Sequence, residues 1–274
     1  MGAAPVTRNA LTTLTMYDTT REFPELFPEV KPSELPTLRH IMEIMQHRID
    51  LIPASHWSPR FPSTYNLFKD QITQKINTEL ETGTVEPSRS RNAIAMFTEQ
   101  KSDKPHEARF LLHCITRNLV TYQDKTAMPS MAQIMDLVGS RPFRCKLDLI
   151  HGYYNIRIDP ESVKDSTFFC HMGKFDSRVM QQGDCNAPAT MMTVVNSLFR
   201  NMTDVMIYLD NILIANHTYE EQIHNIKAVM KIGKNNTLWF LRNKCRFMPT
   251  RMQILANILT DKSLDADPHT IANI

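Results

Sequence analysis

Residues 206–214 read Met-Ile-Tyr-Leu-Asp-Asn-Ile-Leu-Ile, two apolar runs on either side of the polar pair Asp210-Asn211. Apolar strands flanking two polar residues fold as a tight hairpin, because Asp and Asn suit the positive φ of a turn. On that reading alone Asp210 is an ordinary turn residue. A second reading holds it at a rigid tip, where a carboxylate is well placed to take a metal ion. Asp148 strengthens the second reading. It ends an apolar run at 144–149, shortly before Gly152. An Asp in a buried strand is costly unless it is paired or bound to a cation. Taken alone, Asp148 also reads as a strand-end cap or an ion-pair partner. Two such carboxylates on adjacent strands suit Mg²⁺, a hard ion that takes oxygen ligands and substrate phosphates. Two ions held this way drive in-line phosphoryl transfer.

The rest of the chain supplies a scaffold for that hairpin. Pro24, Pro28, Pro32 and Pro36 recur every four residues, so residues 1–37 read as an extended arm or linker. A short strand is expected over 47–52. A helix is expected over 65–82, stopped by Gly83, with short strands at 93–97 and 109–114 around a charged loop carrying Lys101 and Lys104. Residues 130–139 read as an amphipathic helix, and 153–158 as strand or helix. Residues 167–171 and 176–180 read as a hairpin around Met172-Gly173-Lys174. A helix over 187–202 has Asn186 as its cap and Pro188 in its first turn. Another helix, over 219–232, ends near Gly233, and strands follow around 238–241 and 254–259. This order of helices and hairpins predicts an α+β fold with helices packed on one face of an antiparallel sheet.

Composition excludes several classes. The 274 residues are 42% hydrophobic, enough for a sizeable core. No apolar run approaches the roughly 18 residues that cross a bilayer, and the N-terminus lacks a signal-peptide pattern. The chain is therefore expected to be intracellular, cytoplasmic or nuclear, with no membrane partner. The five cysteines, Cys114, Cys145, Cys170, Cys185 and Cys245, have no CxxC spacing and read as scattered thiols. Net charge is only +2, so nucleic-acid binding needs a local basic surface. Lys227, Lys231, Lys234, Arg242, Lys244, Arg246 and Arg251 fall in a span without Asp or Glu, with Trp239, Phe240 and Phe247 between them. That stretch is either a phosphate- and base-contacting face or a solvated face over core aromatics.

The ordered set of Asp148, Gly152-Tyr153, residues 182–190 (Gln-Gly-Asp-Cys-Asn-Ala-Pro-Ala-Thr) and Tyr208-Leu209-Asp210-Asn211 resembles the palm motifs of gypsy-type LTR retrotransposon reverse transcriptases. Residues 47–53, 86–90 and 109–118 resemble that family's fingers. Lys244-Cys245, the 254–259 strand and Asp267-Pro268 resemble the end of its palm. The resemblance implies right-hand polymerase fingers and palm: an arm at 1–37, fingers with part of the palm at 38–137, palm at 138–265, and the start of a truncated thumb at 266–274, the thumb itself being absent. It implies Asp148, Asp210 and Asn211 as the catalytic set. Asp148, Asp210 and the Leu149 carbonyl would hold two Mg²⁺ ions, or Mn²⁺. Arg109, Tyr153, Gln182 and Gly183 would bind a deoxynucleoside triphosphate. Lys244, Arg246, Arg251, Leu255 and Ala256 would contact an RNA or DNA template–primer.

The chain departs from the family in ways that bear on activity. The family's hairpin carries two adjacent aspartates, and the second is Asn211 here. Losing one charge beside a divalent cation costs several kcal/mol of transition-state stabilisation, a slowdown of roughly a hundredfold to many thousandfold. His113, Ile115, His151 and Leu255-Ala256-Asn257 also differ from the pattern. Two expectations follow. One is an RNA-directed DNA polymerase domain. The other is a catalytically dead or repurposed relative that binds nucleic acid or a protein partner.

Overall fold

The computed structural model describes residues 8–29, 45–53, 55, 68–100, 106–126, 128–150, 152–254, 257–260 and 264–266. The helices are α1 (Arg8–Glu22), α2 (Lys69–Glu81), the one-turn α3 (Ile115–Asn118), α4 (Met131–Gly139), α5 (Ala187–Phe199) and α6 (Tyr219–Asn235). The strands are β1 (Val85–Pro87), β2 (Ile94–Gln100), β3 (Ala108–Leu112), β4 (Phe143–Asp148), β5 (Phe168–Cys170), β6 (Gly173–Ser177), β7 (Val205–Tyr208), β8 (Asn211–Asn216), β9 (Arg246–Phe247), β10 (Arg251–Ile254), β11 (Asn257–Thr260) and β12 (Leu264–Ala266). They fall into two compact units. The first comprises Met1–Lys31, Met128–Ile150 and Val195–Ile274, and the second comprises Pro32–Ala127 and His151–Val194. Both units are therefore discontinuous in sequence.

The first unit is built on an antiparallel sheet in the order β7-β8-β4-β9. Along β8, Leu213 and Ala215 face one way. They pack with Ile134, Leu137 and Val138 of α4 and with Met252 and Ile254 of β10. Ile212 and Ile214, which alternate with them, are also fully buried. Both helices flanking this sheet start with the signal that short polar residues supply. Ser130 caps α4 and Thr218 caps α6, each in a reciprocal capping box, with Gln133 and Glu221. A hairpin of β10 and β11, extended by β12, completes the unit.

Three local expectations are corrected here. Residues 8–22 form a helix, not part of an extended arm, because every proline that argued against a helix lies after Glu22. Pro24 then opens a 3-10 turn, a position that tolerates its missing N–H. Leu26 beyond it is buried, and its carbonyl accepts from the Phe240 amide at 2.7 Å. The second correction is at Gly233, which does not stop α6. The helix runs through it to Asn235, and a Cβ at this position would lie 3.2 Å from the Phe240 ring. This glycine serves close packing, not chain reversal. The third is residues 238–241, which make a single bridge, Leu149↔Phe240, in place of a strand.

The second unit carries a five-stranded sheet in the order β1-β6-β5-β2-β3, antiparallel except for the β2–β5 pair. Ile72 and Ile76 of α2 are one turn apart and pack on Val85, Ile94, Met96, Phe168 and Phe175. Gly83 follows α2 at φ +69, the left-handed conformation that glycine adopts without strain. β2 and β3 form the expected hairpin, but Lys101 and Lys104 lie outside the described residues. Residues 152–155 form a 3-10 turn. Residues 47–52 make only isolated bridges, through His47 and Leu51. Asn186 does not cap α5. Its carboxamide instead accepts from the Asp124 amide at 2.9 Å and donates to the Tyr122 carbonyl at 2.7 Å.

Candidate metal and nucleotide sites

The register of the first unit's sheet brings the acidic residues together. β4 pairs with β8 so that Asp148 stands directly opposite Asn211. Tyr208 pairs with Asn211, so the two-residue turn is Leu209-Asp210, one position earlier than the polar pair suggested. Asn211 is the first residue of β8. Leu209 takes φ +52 in this turn, a conformation that costs a branched side chain of order 1 kcal/mol or more and is held only where the surroundings enforce it. One enforcing contact is on the main chain: the Leu149 amide donates to the Asp210 carbonyl at 2.8 Å. On the other side, the Asp148 carbonyl accepts from the Leu241 amide at 2.8 Å. The residues flanking both carboxylates are thus hydrogen-bonded into the sheet before any ligand arrives.

At Asp148 burial works against nearby lysine charges. Asp148 is 7% exposed, and burial raises its pKa. The Lys244 charge lowers it, Asp210 raises it, and Lys146 lowers it. The Asn211 Nδ2 donates to Asp210 Oδ1 at 2.9 Å, while its own buried Oδ1 has no hydrogen-bond partner among the described residues. A buried acceptor without a donor is costly unless a cation or donor fills the space beside it. Two carboxylates and an orphaned amide oxygen form a hard-oxygen set, which fits Mg²⁺ or Mn²⁺. Among the described residues no three His, Cys, Asp or Glu side chains converge.

A basic edge adjoins it. β9 pairs with β4, placing Arg246 opposite Lys146. Arg242, Lys244, Arg246 and Arg251 are exposed. Lys227 and Lys234 are ion-paired to Glu22 and Glu25, so two charges of the basic stretch are already matched. The interleaved rings divide as well. Phe240 and Phe247 are at most 1% exposed and belong to the core. Only Trp239 is partly exposed. Leu255 and Ala256 lie outside the described residues.

The nucleotide-binding candidates all lie in the second unit. Arg109 is exposed on β3, across from Glu99 of β2. Tyr153 is half-buried in the 152–155 turn. Gln182 and Gly183 are exposed just ahead of α5, with Gly183 at φ +108. The sequence reading missed a fully buried cluster beneath this turn. Arg117 is ion-paired with Asp184, and His47 Nε2 lies 3.3 Å from the same carboxylate. The available signal was a pair of charges, Arg117 and Asp184, inside otherwise apolar or small-residue stretches. His47 is pushed down to about pKa 4 by burial and by the Arg117 charge, against a weaker upward pull from Asp50. All five cysteines are free thiols, as expected. No helix among the described residues is long and apolar enough to cross a membrane.

Residues 104–259, more than half of the chain, match the family described as reverse transcriptase (RNA-dependent DNA polymerase). The chain is 23% identical over 240 residues to the retrovirus-related Pol polyprotein from transposon 297 of Drosophila melanogaster, covering 85% of this chain and 22% of that relative. It is 25% identical over 252 residues to the transposon Tf2-7 polyprotein of Schizosaccharomyces pombe, covering 89% and 18%. It thus spans about a fifth of the length of these curated relatives. The fold superposes on the foamy viral protease-reverse transcriptase in complex with RNA/DNA hybrid with a TM-score of 0.80 at 16% identity, covering 96% of this chain and 35% of that one.

Proposed function

The chain belongs to the reverse transcriptase (RNA-dependent DNA polymerase) family, and on that premise we propose that it adds deoxynucleotides to a primer paired with an RNA or DNA template. The observation that carries the reading is the register that sets Asp148 opposite Asn211 with Asp210 in the adjoining turn. Asp148, Asp210 and the Asn211 amide oxygen would hold divalent cations, with the Leu149 carbonyl as a further ligand, and such ions would supply charge stabilisation for an in-line phosphoryl transfer. The primer 3′-hydroxyl loses its proton to solvent and forms a bond to the α-phosphorus, the bond from the α-phosphorus to the α–β bridging oxygen breaks, and pyrophosphate leaves. Arg109 supplies forked donors to the triphosphate. Tyr153 walls the sugar, and Gln182 and Gly183 contact the nucleotide. Lys244, Arg246 and Arg251, with Leu255 and Ala256, hold the template–primer.

One observation favours a second reading, in which the domain binds template–primer without extending it. The Asn211 amide donates to Asp210 where a carboxylate would add charge. Single-nucleotide addition to an RNA-templated primer separates the two. Mg²⁺-dependent addition by the native chain, lost in Asp210→Ala, supports polymerisation. Addition that survives Asp210→Ala contradicts the assignment. Binding of the template–primer with no addition establishes the second reading.

A further inference from the structure

The proposed chemistry makes no use of the buried cluster beneath the Gln182–Gly183 turn. Arg117, on the one-turn α3, is 1% exposed, and its guanidinium is ion-paired with the buried Asp184. The same guanidinium donates to the Asp165 carbonyl at 3.1 Å and to Gln181 Oε1 at 3.4 Å. Its neighbour Asn118 donates to the Gly183 carbonyl at 2.9 Å and accepts from the Cys185 amide at 3.2 Å. Residues 181, 183, 184 and 185 are therefore each tied to α3, and only Gln182 between them is untied and exposed. Gly183 closes the arrangement: a Cβ there would lie 3.1 Å from Cys114 Sγ, so its backbone is pressed against the residue that leads into α3.

A buried ion pair is a poor device for stability, since well-packed apolar residues of similar volume often serve as well or better. What the pair provides here is direction. A planar fork with fixed donors locks several acceptors into one mutual geometry. We propose that the Arg117–Asp184 pair is a positioning device that fixes the main chain of the Gln182–Gly183 turn for nucleotide binding. This rests on the reading of Gln182 and Gly183 as nucleotide contacts.

The test uses the full chain with Arg117→Leu, Asp184→Leu, the double Arg117→Leu/Asp184→Leu variant, Arg117→Lys and Gln182→Ala. It reads amide hydrogen exchange at residues 183–185 and the affinity for Mg²⁺·dTTP by equilibrium dialysis. Each leucine single leaves one buried charge unpaired and lowers the melting temperature. The double variant recovers most of that loss, yet exchanges faster at 183–185 by about tenfold and binds dTTP about tenfold more weakly, equivalent to ~1.4 kcal/mol. Arg117→Lys, which keeps the charge but loses the fork, loosens the same amides and decides the matter if the double variant does not fold. Parent-like exchange in either variant overturns the proposal. Unchanged dTTP affinity in Gln182→Ala overturns the nucleotide-contact reading alone, because the exchange data still report on the clamp.

Discussion

His47 sets a pH limit on the fold that can be worked from its surroundings. The ring is 1% exposed, with Nδ1 3.0 Å from Thr190 Oγ1 and Nε2 3.3 Å from Asp184 Oδ2. Asp184 would ordinarily favour the charged ring, but its own charge is matched by Arg117. Burial and the Arg117 charge therefore prevail, and the folded pKa is about 4 against an ordinary 6.5. Between those values the unfolded chain binds a proton that the folded chain refuses, so stability falls as the pH drops. The contribution is fully present above pH ~6.5 and is lost as pH falls through ~4. At ~1.4 kcal/mol per pH unit the total is roughly 3 kcal/mol. Urea unfolding followed by circular dichroism at stepped pH, for native chain and His47→Gln, isolates this term as a difference curve. The expected curve is flat above neutrality and declines by about 3 kcal/mol on acidification to pH 4. Parallel curves for the two proteins, or an imidazole NMR titration of His47 with a midpoint above 6.5, would refute the reasoning by showing a charged, Asp184-paired ring.

Three other outcomes are expected. Asn211→Asp loses its hydrogen bond to Asp210 and adds a carboxylate beside Asp148. In EDTA it should unfold ~1–2 kcal/mol more easily than native, and Mg²⁺ should stabilise it more than it stabilises native; equal Mg²⁺ responses in urea titrations would count against a cation site. Gly233→Ala gains helix propensity but sets its Cβ 3.2 Å from a Phe240 ring pinned by Leu26 and Phe27, so a net loss of ~1 kcal/mol is expected by chemical denaturation. Arg251→Ala removes an exposed charge and should lower the salt slope of template–primer binding, read by fluorescence anisotropy, by about one phosphate contact; an unchanged slope would remove Arg251 from the interface.

What was legible in the sequence follows physical range. Hairpins and capped helices are local, so the pairing of β7 with β8 and the starts of α4 and α6 could be read from a few residues. The two carboxylates were legible because apolar strands make an isolated Asp conspicuous. Turn register was not, since Leu209 occupies a positive-φ position that local preference assigns to Asp or Asn. Gly233 was misread for a related reason: the ring that requires a glycine is supplied by Phe240, outside the helix. The prolines after residue 23 masked α1, although the proline-free stretch before them was open to a helix. The Arg117–Asp184 pair joins residues far apart in sequence, and periodicity carries no information about which distant charges will meet.

Asp148, Asp210 and Asn211 are proposed to form a divalent-cation centre. Mn²⁺ binding, followed by the loss of its free electron-paramagnetic signal, tests it most directly in the native chain and in Asp148→Ala. Saturable binding is expected, displaced by Mg²⁺ and weakened on the order of tenfold or more in Asp148→Ala. Equal Mn²⁺ affinity in the two proteins would contradict it.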